Sequence, residues 1–361
     1  MGPINTNIRS LLPRAPNTPY FTPPNNPGAA FDPTNPSTPT LFRPLKIRNV
    51  TLKNRIIDAP MCKFSCEPNP SHPAVGALTD WHVAYLGHLA TKGVGMVIIE
   101  ATAVTPNGRI SPQDSGLWQG VGLEQWKGLK RVVDFVLRRV EYKWAPGDKQ
   151  FWAPRELSSL GMKETVEAFA RSAKTAIEAG VDVIEVHAAH GYLLHEFLSP
   201  VTNRRTDAYG GSFDNRDRIV REVLTAIRAA IPPETPLLLR ISATDCLEDH
   251  PISAKTGSWD IASTIRLARL LPELGVDLLD VSSTGNHREQ RIQPHSSYQV
   301  DVAGQIRREI YAAGQNTLVG AVGLIREQMR PFMREPNWVF AAAKKLWVPV
   351  SLNLQFGRAL L

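Results

Sequence analysis

The feature that most constrains this chain is a repeated alternation of short apolar segments with longer amphipathic ones. From Leu41 onward, near-continuous apolar runs of strand length alternate with segments that have helical spacing. Apolar runs of this kind are typical of strands buried on both faces of a parallel sheet. A regular alternation over this length favours an α/β fold, the (β/α)8 TIM barrel.

The pattern predicts individual elements. The predicted strands are Ile56–Met61, Met96–Val104, Val181–Ala188, Pro236–Ala243, Val276–Ser283 and Thr317–Val322. The predicted helices are Asp80–Lys92, Leu123–Arg139, Lys163–Ala179, Asn215–Ile231, Trp259–Leu274 and Val300–Ala313. Two of these helices end at a glycine, Gly93 or Gly180, the residue that adopts a left-handed cap without strain.

Two units of the barrel are incomplete in the sequence. After the helix that ends near Arg139, only Arg138–Trp144 has the composition of a short strand. After Gly323, a helix-and-strand unit is missing between Ile325 and Glu335. We therefore expect an incomplete barrel, with its third and eighth strand regions shortened or missing.

Composition limits the remaining classes of protein. Residues 1–40 hold ten prolines and six asparagines without hydrophobic periodicity, which predicts a flexible or surface-draped arm before a barrel domain at residues 41–361. Three cysteines cannot staple a chain of 361 residues, so a disulfide scaffold is excluded. The net charge is +7, but it comes without blocks of like charge, which argues against nucleic-acid binding.

Targeting signals are also missing from the sequence. An apolar run of about 18 residues, enough to span a membrane, does not occur. The first residues lack the apolar core and cleavage site of a secretory signal. We expect a cytoplasmic protein without a membrane partner.

The richest cluster of reactive side chains ends the third predicted strand. His187 and His190 lie three positions apart, and Tyr192 follows two residues later. Such a pair of imidazoles can polarise a carbonyl oxygen, and a phenol with a pKa of about 10 can act as an acid. Two alternatives stay open: one histidine caps a helix while Tyr192 packs, or His-x-x-His binds a metal with Asp245 and His287, as in a metal-dependent barrel hydrolase.

Other strand ends carry single candidates. Cys62 follows the first strand, where a thiol lies either near a cofactor or in ordinary packing. Arg240 ends an apolar strand and needs an anionic partner, which is either a bound ligand or Glu185. Gly320 and Gly323 lie where many barrels bind phosphate, although a tight turn explains them equally well.

Four long segments carry a family resemblance: LFRPLKIRNVTLKNRIIDAPMC, LTDWHVAYLGHLATKGVGMVIIEATAVTPNGRISPQDSGLW, AGVDVIEVHAAHGYLLHEFLSPVTNRRTDAYGGSFDNR and LLLRISATD. They resemble the Old Yellow Enzyme family of FMN-dependent ene-reductases, in particular its thermophilic-like branch with fungal members. The resemblance covers most of residues 41–346. It implies FMN at the barrel mouth and NAD(P)H as electron donor. The substrate would be an α,β-unsaturated carbonyl compound (an enone), reduced at its C=C bond, and the fungal likeness suggests a natural-product pathway.

The resemblance also implies residue roles. Ala59, Pro60, Met61 and Cys62 would line the flavin, with Cys62 tuning its potential, while Ala101, Arg240 and Gly323 would contact the ring, its N1/C2 edge and the phosphate. His187 and His190 would bind the substrate carbonyl oxygen, and Tyr192 would protonate the α-carbon. Arg358 would reach into a neighbouring subunit's site, which implies a homo-oligomer. No metal is implied.

Three departures from the family pattern accompany the gaps. The family carries a glutamine on the third strand of its complete barrel and a Gly-Arg pair at the end of the eighth, and both contact FMN. Neither has a counterpart in this sequence. The substrate-side tyrosine is replaced by Phe64. Two explanations fit: a faulty gene model that omits coding segments, or a truncated, non-catalytic relative with impaired flavin binding.

Overall fold

Short strands form three separate sheets in the computed structural model, which describes residues 27–138, 157–285, 287, 289–292, 295, 297–322, 338–348 and 350. The described strands are β1 (Leu45–Ile47), β2 (Val50–Leu52), β3 (Ile57–Asp58), β4 (Met96–Val97), β5 (Ile184–Ala188), β6 (Leu237–Ser242), β7 (Leu278–Ser282) and β8 (Leu318–Ala321). β1 and β2 form an antiparallel hairpin, β3 and β4 a parallel pair, and β5 to β8 a parallel sheet in sequence order.

Helices lie between the strands, as the alternation predicts. They are α1 (Asp80–Thr91), α2 (Glu124–Arg138), α3 (Ser159–Glu178), α4 (Leu193–Leu198), α5 (Phe213–Arg216), α6 (Arg218–Ala230), α7 (Pro251–Thr256), α8 (Ile261–Ala268), α9 (Tyr298–Ala312) and α10 (Trp338–Lys345). Every helix predicted from the sequence has a counterpart. Short 3-10 turns occur at Thr40–Phe42 and Pro106–Gly108.

Capping side chains explain several helix boundaries. α3 begins four residues earlier than its periodicity indicates, because the Ser158 side chain accepts the backbone N–H of Gly161. Asp260 starts α8 in the same way by accepting the N–H of Ser263. Gly93 and Gly180 have φ angles of 91° and 98°, which confirms the predicted left-handed caps.

Side chains of the four-stranded sheet are aligned in layers across neighbouring strands. Its register places His187 opposite Arg240, Arg240 opposite Asp280, and Asp280 opposite Gly320. Because side chains at paired positions of a parallel sheet point to the same face, these groups share one face near the carboxyl ends of the strands. The neighbouring positions of β6, such as Leu239 and Ile241, are completely buried.

The main core lies between this sheet and the helices outside it. α6 contributes a stripe with helical spacing, all of it at most 1% exposed: Ile219, Val220, Val223, Leu224 and Ile227. α3 packs beside α6 and inserts Met162, which is fully buried. Burial of a Leu- or Ile-sized side chain stabilises the fold by about 1.5–3 kcal/mol, so this stripe fixes α6 on the sheet.

The β1–β2 hairpin covers the amino-terminal ends of the strands. Ile47 and Leu52 pack with Leu238 and Leu278, and partly buried side chains from β3, β4 and β8 join the same cluster. One apolar cluster therefore contacts strands of both parallel sheets. The opposite, carboxyl-terminal edge stays available for polar groups.

Two parts of the barrel prediction lie outside the described residues. The suggested third strand (138–144) and the gap at 325–335 fall almost wholly in residues that the structure does not describe. Within the described ranges the two parallel sheets are not joined into a closed ring. The strands predicted at Ile56–Met61 and Met96–Val104 span only two residues each, and Pro60, which has no N–H to donate, lies just beyond β3.

The described end of the predicted arm lies against the barrel. Asn54 donates from Nδ2 to the carbonyl oxygens of Gly28 and Gly93, at 3.0 and 2.8 Å. The arm-and-barrel division at residue 40 stays a prediction. Within the described ranges, each helix falls short of the length or apolar character that crossing a bilayer requires.

Candidate active site

The predicted site residues lie at the carboxyl ends of the parallel strands. His187 is in β5 and Arg240 in β6, while Ala59–Cys62 directly follow β3 and Ala101 follows β4. In barrels of parallel strands, this edge carries the functional groups because the following loops converge there.

His187, His190 and Tyr192 come together at this edge. The ring centroids of His187 and His190 are 5.2 Å apart, and those of His187 and Tyr192 are 5.7 Å apart. All three side chains are partly exposed. The His190 imidazole and the Tyr192 phenol therefore both lie beside the His187 ring, and all three side chains are accessible to a small molecule.

Burial sets the protonation of this trio. It lowers the pKa of His187 to about 3, helped by the nearby charges of His190 and Arg240. Burial also lowers the pKa of His190 to about 4, with contributions from Arg240 and His195. Burial raises the pKa of Tyr192. At neutral pH the site thus holds two neutral imidazoles and a protonated phenol.

Two serines hold His190. Its backbone N–H donates to Ser242 Oγ at 2.9 Å, and its Nε2 lies 2.7 Å from Ser282 Oγ. Ser242 in turn donates to the carbonyl oxygen of Thr284 at 2.6 Å. Sequence reasoning missed both serines, although each ends an apolar strand. From two neighbouring strands, Ser242 thus holds the His190 backbone and Ser282 holds its imidazole.

A buried pair lies behind the trio. Nε2 of His195 is 2.9 Å from Oδ1 of Asp245, and these side chains are only 1% and 4% exposed. Asp245 Oδ2 also accepts the Ser199 hydroxyl at 2.6 Å and the Trp259 N–H at 2.8 Å. Asp245 is thus committed to protein donors, which disfavours its predicted alternative use as a metal ligand beside His187 and His190.

Arg240 is paired with Asp280, not with Glu185. The Arg240 Nε lies 2.8 Å from Asp280 Oδ2, and no ion pair joins Arg240 to Glu185 among the described residues. The interpretation that Glu185 is the protein partner of Arg240 is therefore wrong: the register puts Asp280 directly beside Arg240, and Glu185 is one layer lower. Burial and the charge of Asp280 raise the pKa of Glu185 to about 8, against the opposing effect of Arg240.

The loop after β3 forms another wall of the site. Ala59, Pro60, Met61 and Cys62 are each partly exposed. The Lys63 N–H donates to Glu100 Oε2 at 3.1 Å, so the loops after β3 and β4 are adjacent. Burial, with the charges of Asp114 and Glu100, raises the pKa of Cys62 to about 12. Cys62 therefore stays a neutral thiol.

The remaining predicted site residues are Phe64, Gly323 and Arg358. Phe64 has φ of 53° and is 41% exposed, so its ring is accessible beside the same loop. Gly323 and Arg358 lie outside the described residues. Their predicted contacts with phosphate and with a neighbouring subunit stay predictions.

A buried cluster of possible metal ligands lies beside this wall. Cys66 Sγ, His82 Nε2 and Glu100 Oε2 are all within 4.8 Å of one another. However, His82 Nδ1 accepts the backbone N–H of Thr79 at 2.9 Å. A neutral imidazole that accepts at Nδ1 carries its proton on Nε2, which then has no lone pair for a metal. The cluster is therefore better explained as a buried hydrogen-bonding group than as a metal centre.

With this geometry in place, comparison with known proteins decides the family. The sequence profile of the NADH:flavin oxidoreductase / NADH oxidase family matches residues 40–134 and 142–347. The chain belongs to this family, the Old Yellow Enzyme family. Its members have a (β/α)8 barrel, so the two parallel sheets described above are parts of that fold.

Individual relatives agree with this assignment. An NADH:flavin oxidoreductase of Gibberella zeae is 38% identical over 397 residues, covering 93% of this chain and 92% of that protein. An NADPH dehydrogenase of Bacillus subtilis is 37% identical over 354 residues, covering 88% of this chain and 98% of that protein. A solved Old Yellow Enzyme homologue from Zymomonas mobilis has a TM-score of 0.62 at 20% identity, covering 88% and 95% of the two chains.

Old Yellow Enzyme proteins are oxidoreductases that use FMN, with NAD(P)H as electron donor. The mouth of this barrel fits such a group. The Arg240 side chain is 4% exposed, and among the described residues its ionic contact is with Asp280 through Nε, which leaves its terminal nitrogens for an acceptor in the mouth. A buried guanidinium of this kind suits an electron-rich ring edge, and the apolar loop after β3 suits a ring face.

Proposed function

We propose that this Old Yellow Enzyme protein reduces the activated C=C bond of α,β-unsaturated carbonyl compounds. The observation that carries the proposal is the trio of neutral His187, neutral His190 and protonated Tyr192, in which the other two ring centroids lie 5.2 and 5.7 Å from that of His187. This trio supplies hydrogen-bond donors for an oxygen and an acid for a carbon, which are the two requirements of enone reduction.

The histidines bind the substrate oxygen in this proposal. Each neutral imidazole has one N–H, which for His190 would be on Nδ1 with Nε2 accepting the Ser282 hydroxyl, and two such donors aimed at a carbonyl oxygen would stabilise the negative charge that develops on it. A charged imidazolium is not needed, which agrees with the low pKa values of His187 and His190. Ser282 limits the rotation of the His190 ring by its contact with Nε2.

Tyr192 provides the proton. FMN bound at this edge would supply the hydride that the β-carbon receives, with NAD(P)H as electron donor. Tyr192 then transfers its phenolic proton to the α-carbon, so that one hydride and one proton saturate the C=C bond. Burial keeps this proton on Tyr192 until the α-carbon becomes basic.

The proposed cofactor contacts come from residues at the same carboxyl-terminal edge of the parallel strands. Ala59, Pro60, Met61 and Cys62, with Ala101 beside them, would line the flavin ring, and Arg240 would stabilise negative charge on its pyrimidine side. Phe64 would border the substrate. Gly323 at the phosphate and Arg358 in a homo-oligomer remain part of the proposal.

Replacing Tyr192 tests the proposal. In Tyr192→Phe, flavin reduction by NADPH should stay near the wild-type rate, while reoxidation by 2-cyclohexen-1-one should fall by about 10²–10⁴-fold. Stopped-flow absorbance measures both half-reactions separately. Tyr311→Phe, a change at an exposed tyrosine of α9, is the matched control. Equal losses in both half-reactions, or no loss in either, would overturn the role of Tyr192.

A second candidate, a non-catalytic relative with an incomplete barrel, has support of its own. The family profile matches in two blocks that are interrupted after residue 134. The alignment with the Gibberella zeae protein spans 397 residues, more than the 361 of this chain, so that relative has stretches without a counterpart here. An absorption spectrum after FMN addition and desalting separates the candidates. A retained flavin band supports the reductase, and a colourless protein supports the incomplete relative.

A fungal natural product is the proposed source of the enone. This narrower part of the proposal rests on the likeness to fungal members. A panel of simple and polycyclic enones would test it: preference for the polycyclic compounds supports it, and preference for the simple ones contradicts it.

A further inference from the structure

The turn that carries His190 has an unfavourable backbone conformation. His190 and Gly191 have φ angles of 61° and 74°, both left-handed. This conformation suits Gly191 but is unfavourable for a residue with a Cβ. Such a residue persists only where its surroundings enforce the conformation. The contacts that hold this turn therefore point to a functional role.

Two successive backbone N–H groups of the turn are held by side chains. His190 N–H donates to Ser242 Oγ, and Gly191 N–H donates to His195 Nδ1 at 2.7 Å. The second bond also fixes the His195 tautomer. Because Nδ1 accepts, the proton of the neutral ring is on Nε2, which faces Asp245 Oδ1 at 2.9 Å.

Asp245 lies against His195 and is itself bonded to other parts of the barrel. Its carboxylate accepts donors from Ser199 at the end of α4 and from Trp259 before α8, and Trp259 is fully buried. A buried carboxylate with several donors has little freedom to move. Asp245 therefore lies fixed against the His195 ring, 2.9 Å from Nε2, while the hydrogen bond that holds the turn is the one from Gly191 N–H to His195 Nδ1.

His195 and Asp245 are buried away from solvent. Gly285 lies directly against both: a Cβ on it would be 3.4 Å from Asp245 Oδ1 and 3.5 Å from His195 Cε1. With 1% and 4% exposure, neither side chain can touch a molecule in the mouth. Any effect on chemistry must pass through the turn.

We propose that His195 is a positioning residue: by accepting the Gly191 N–H it keeps the His190 imidazole and the Tyr192 phenol directed at the substrate. The inference rests on the proposed function, since it assumes that His190 and Tyr192 act on an enone.

Two replacements of His195 separate the bonds it makes. In His195→Asn, the amide oxygen occupies the place of Nδ1 and can still accept the Gly191 N–H, while the reach to Asp245 is lost. In His195→Gln, the longer amide reaches towards Asp245 but removes the acceptor beside Gly191. With FMN bound, we expect His195→Gln to slow enone reduction by about 10–100-fold and His195→Asn to act within about threefold of wild type.

The half-reactions show whether the effect is one of positioning. Flavin content and flavin reduction by NADPH should be unchanged in both variants, with the loss confined to reoxidation by 2-cyclohexen-1-one. Equal slowing in both variants, or an unaffected His195→Gln protein, would overturn the proposal. A general defect in folding would instead lower flavin content and both half-reactions.

A measurement without turnover keeps this inference separate from the proposed function. ¹⁵N NMR of the histidine side chains, assigned with His195→Asn, should show His195 neutral, protonated at Nε2 and bare at Nδ1. A His195 protonated at Nδ1 would refute the positioning contact even if enones are reduced. If the predicted tautomer is found but the wild type reduces no enone, the proposed function fails and the contact stands.

Discussion

Arg240 and Asp280 form an ion pair between neighbouring strands, with 2.8 Å from Nε to Oδ2 and residue exposures of 3% and 8%. The two residues are direct register partners of β6 and β7. Removing one partner of a buried pair leaves an uncompensated charge, which destabilises far more than loss of a surface pair.

We therefore expect Asp280→Ala to lower the free energy of unfolding by about 3–5 kcal/mol. Urea unfolding of the protein without added FMN measures this change. Asp301→Ala, at an acidic residue on the outside of α9, is the control and should change stability by less than about 1 kcal/mol. Saturating FMN should protect the Asp280→Ala protein more than the wild type, because the flavin edge offers Arg240 another partner. Similar stability of the two variants would contradict the importance of this pair.

Glu185 should make stability depend on pH. Its pKa is raised from 4.5 to about 8, chiefly by burial, so the folded protein binds this proton more tightly than the unfolded chain. The stability contributed is fully present below about pH 4.5 and is lost as pH rises through about 8. Compared with wild type, Glu185→Gln should become progressively more stable between pH 5 and pH 9. Urea midpoints across this range, with Glu234→Gln as an exposed control, would show a flat difference if Glu185 ionises normally.

His187 should have the opposite dependence. Its pKa falls from 6.5 to about 3 because of burial, so the unfolded chain takes up this proton first. The corresponding stability is present above about pH 6.5 and is lost as pH falls towards 3. His187→Gln should therefore lose less stability than wild type between pH 7 and pH 5. His72→Gln, at an exposed histidine, is the matched control, and parallel curves for His187→Gln and wild type would contradict the buried, neutral state.

Local patterns in the sequence account for much of the fold. The apolar runs of β5 to β8 and the amphipathic stretches of the helices between them are properties of neighbouring residues, and these predictions agree with the structure. The β1–β2 hairpin was missed, although Leu45, Ile47, Val50 and Leu52 alternate around a tight turn. Six-residue helices such as α4 were missed because they are too short to show a helical period.

The site residues likewise divide into those that local spacing brings together and those that only the fold brings together. His187, His190 and Tyr192 belong to one strand end, so their spacing alone predicts that they meet. The contact of His195 with Asp245 crosses 50 positions, and that of His190 with Ser282 crosses 92. Only the folded register shows such pairs. Arg240 was assigned an anionic partner correctly in kind, but choosing Asp280 over Glu185 required knowing which residues are level across the sheet.

The Thr264 hydroxyl links Trp259 to the backbone just after β6 and should contribute measurably to the stability of the fold. Trp259 Nε1 donates to Thr264 Oγ1 at 2.9 Å, and this hydroxyl donates to the Ala243 carbonyl oxygen at 2.9 Å, with all three residues fully buried. Thr264→Val keeps the shape but leaves the indole N–H unpaired, which should cost about 1–3 kcal/mol. Thr264→Ser keeps the hydroxyl and should cost less, through its lost methyl group alone. Urea unfolding of the two variants ranks these losses, and a Ser variant less stable than the Val variant would mean that packing outweighs the hydrogen bonds here.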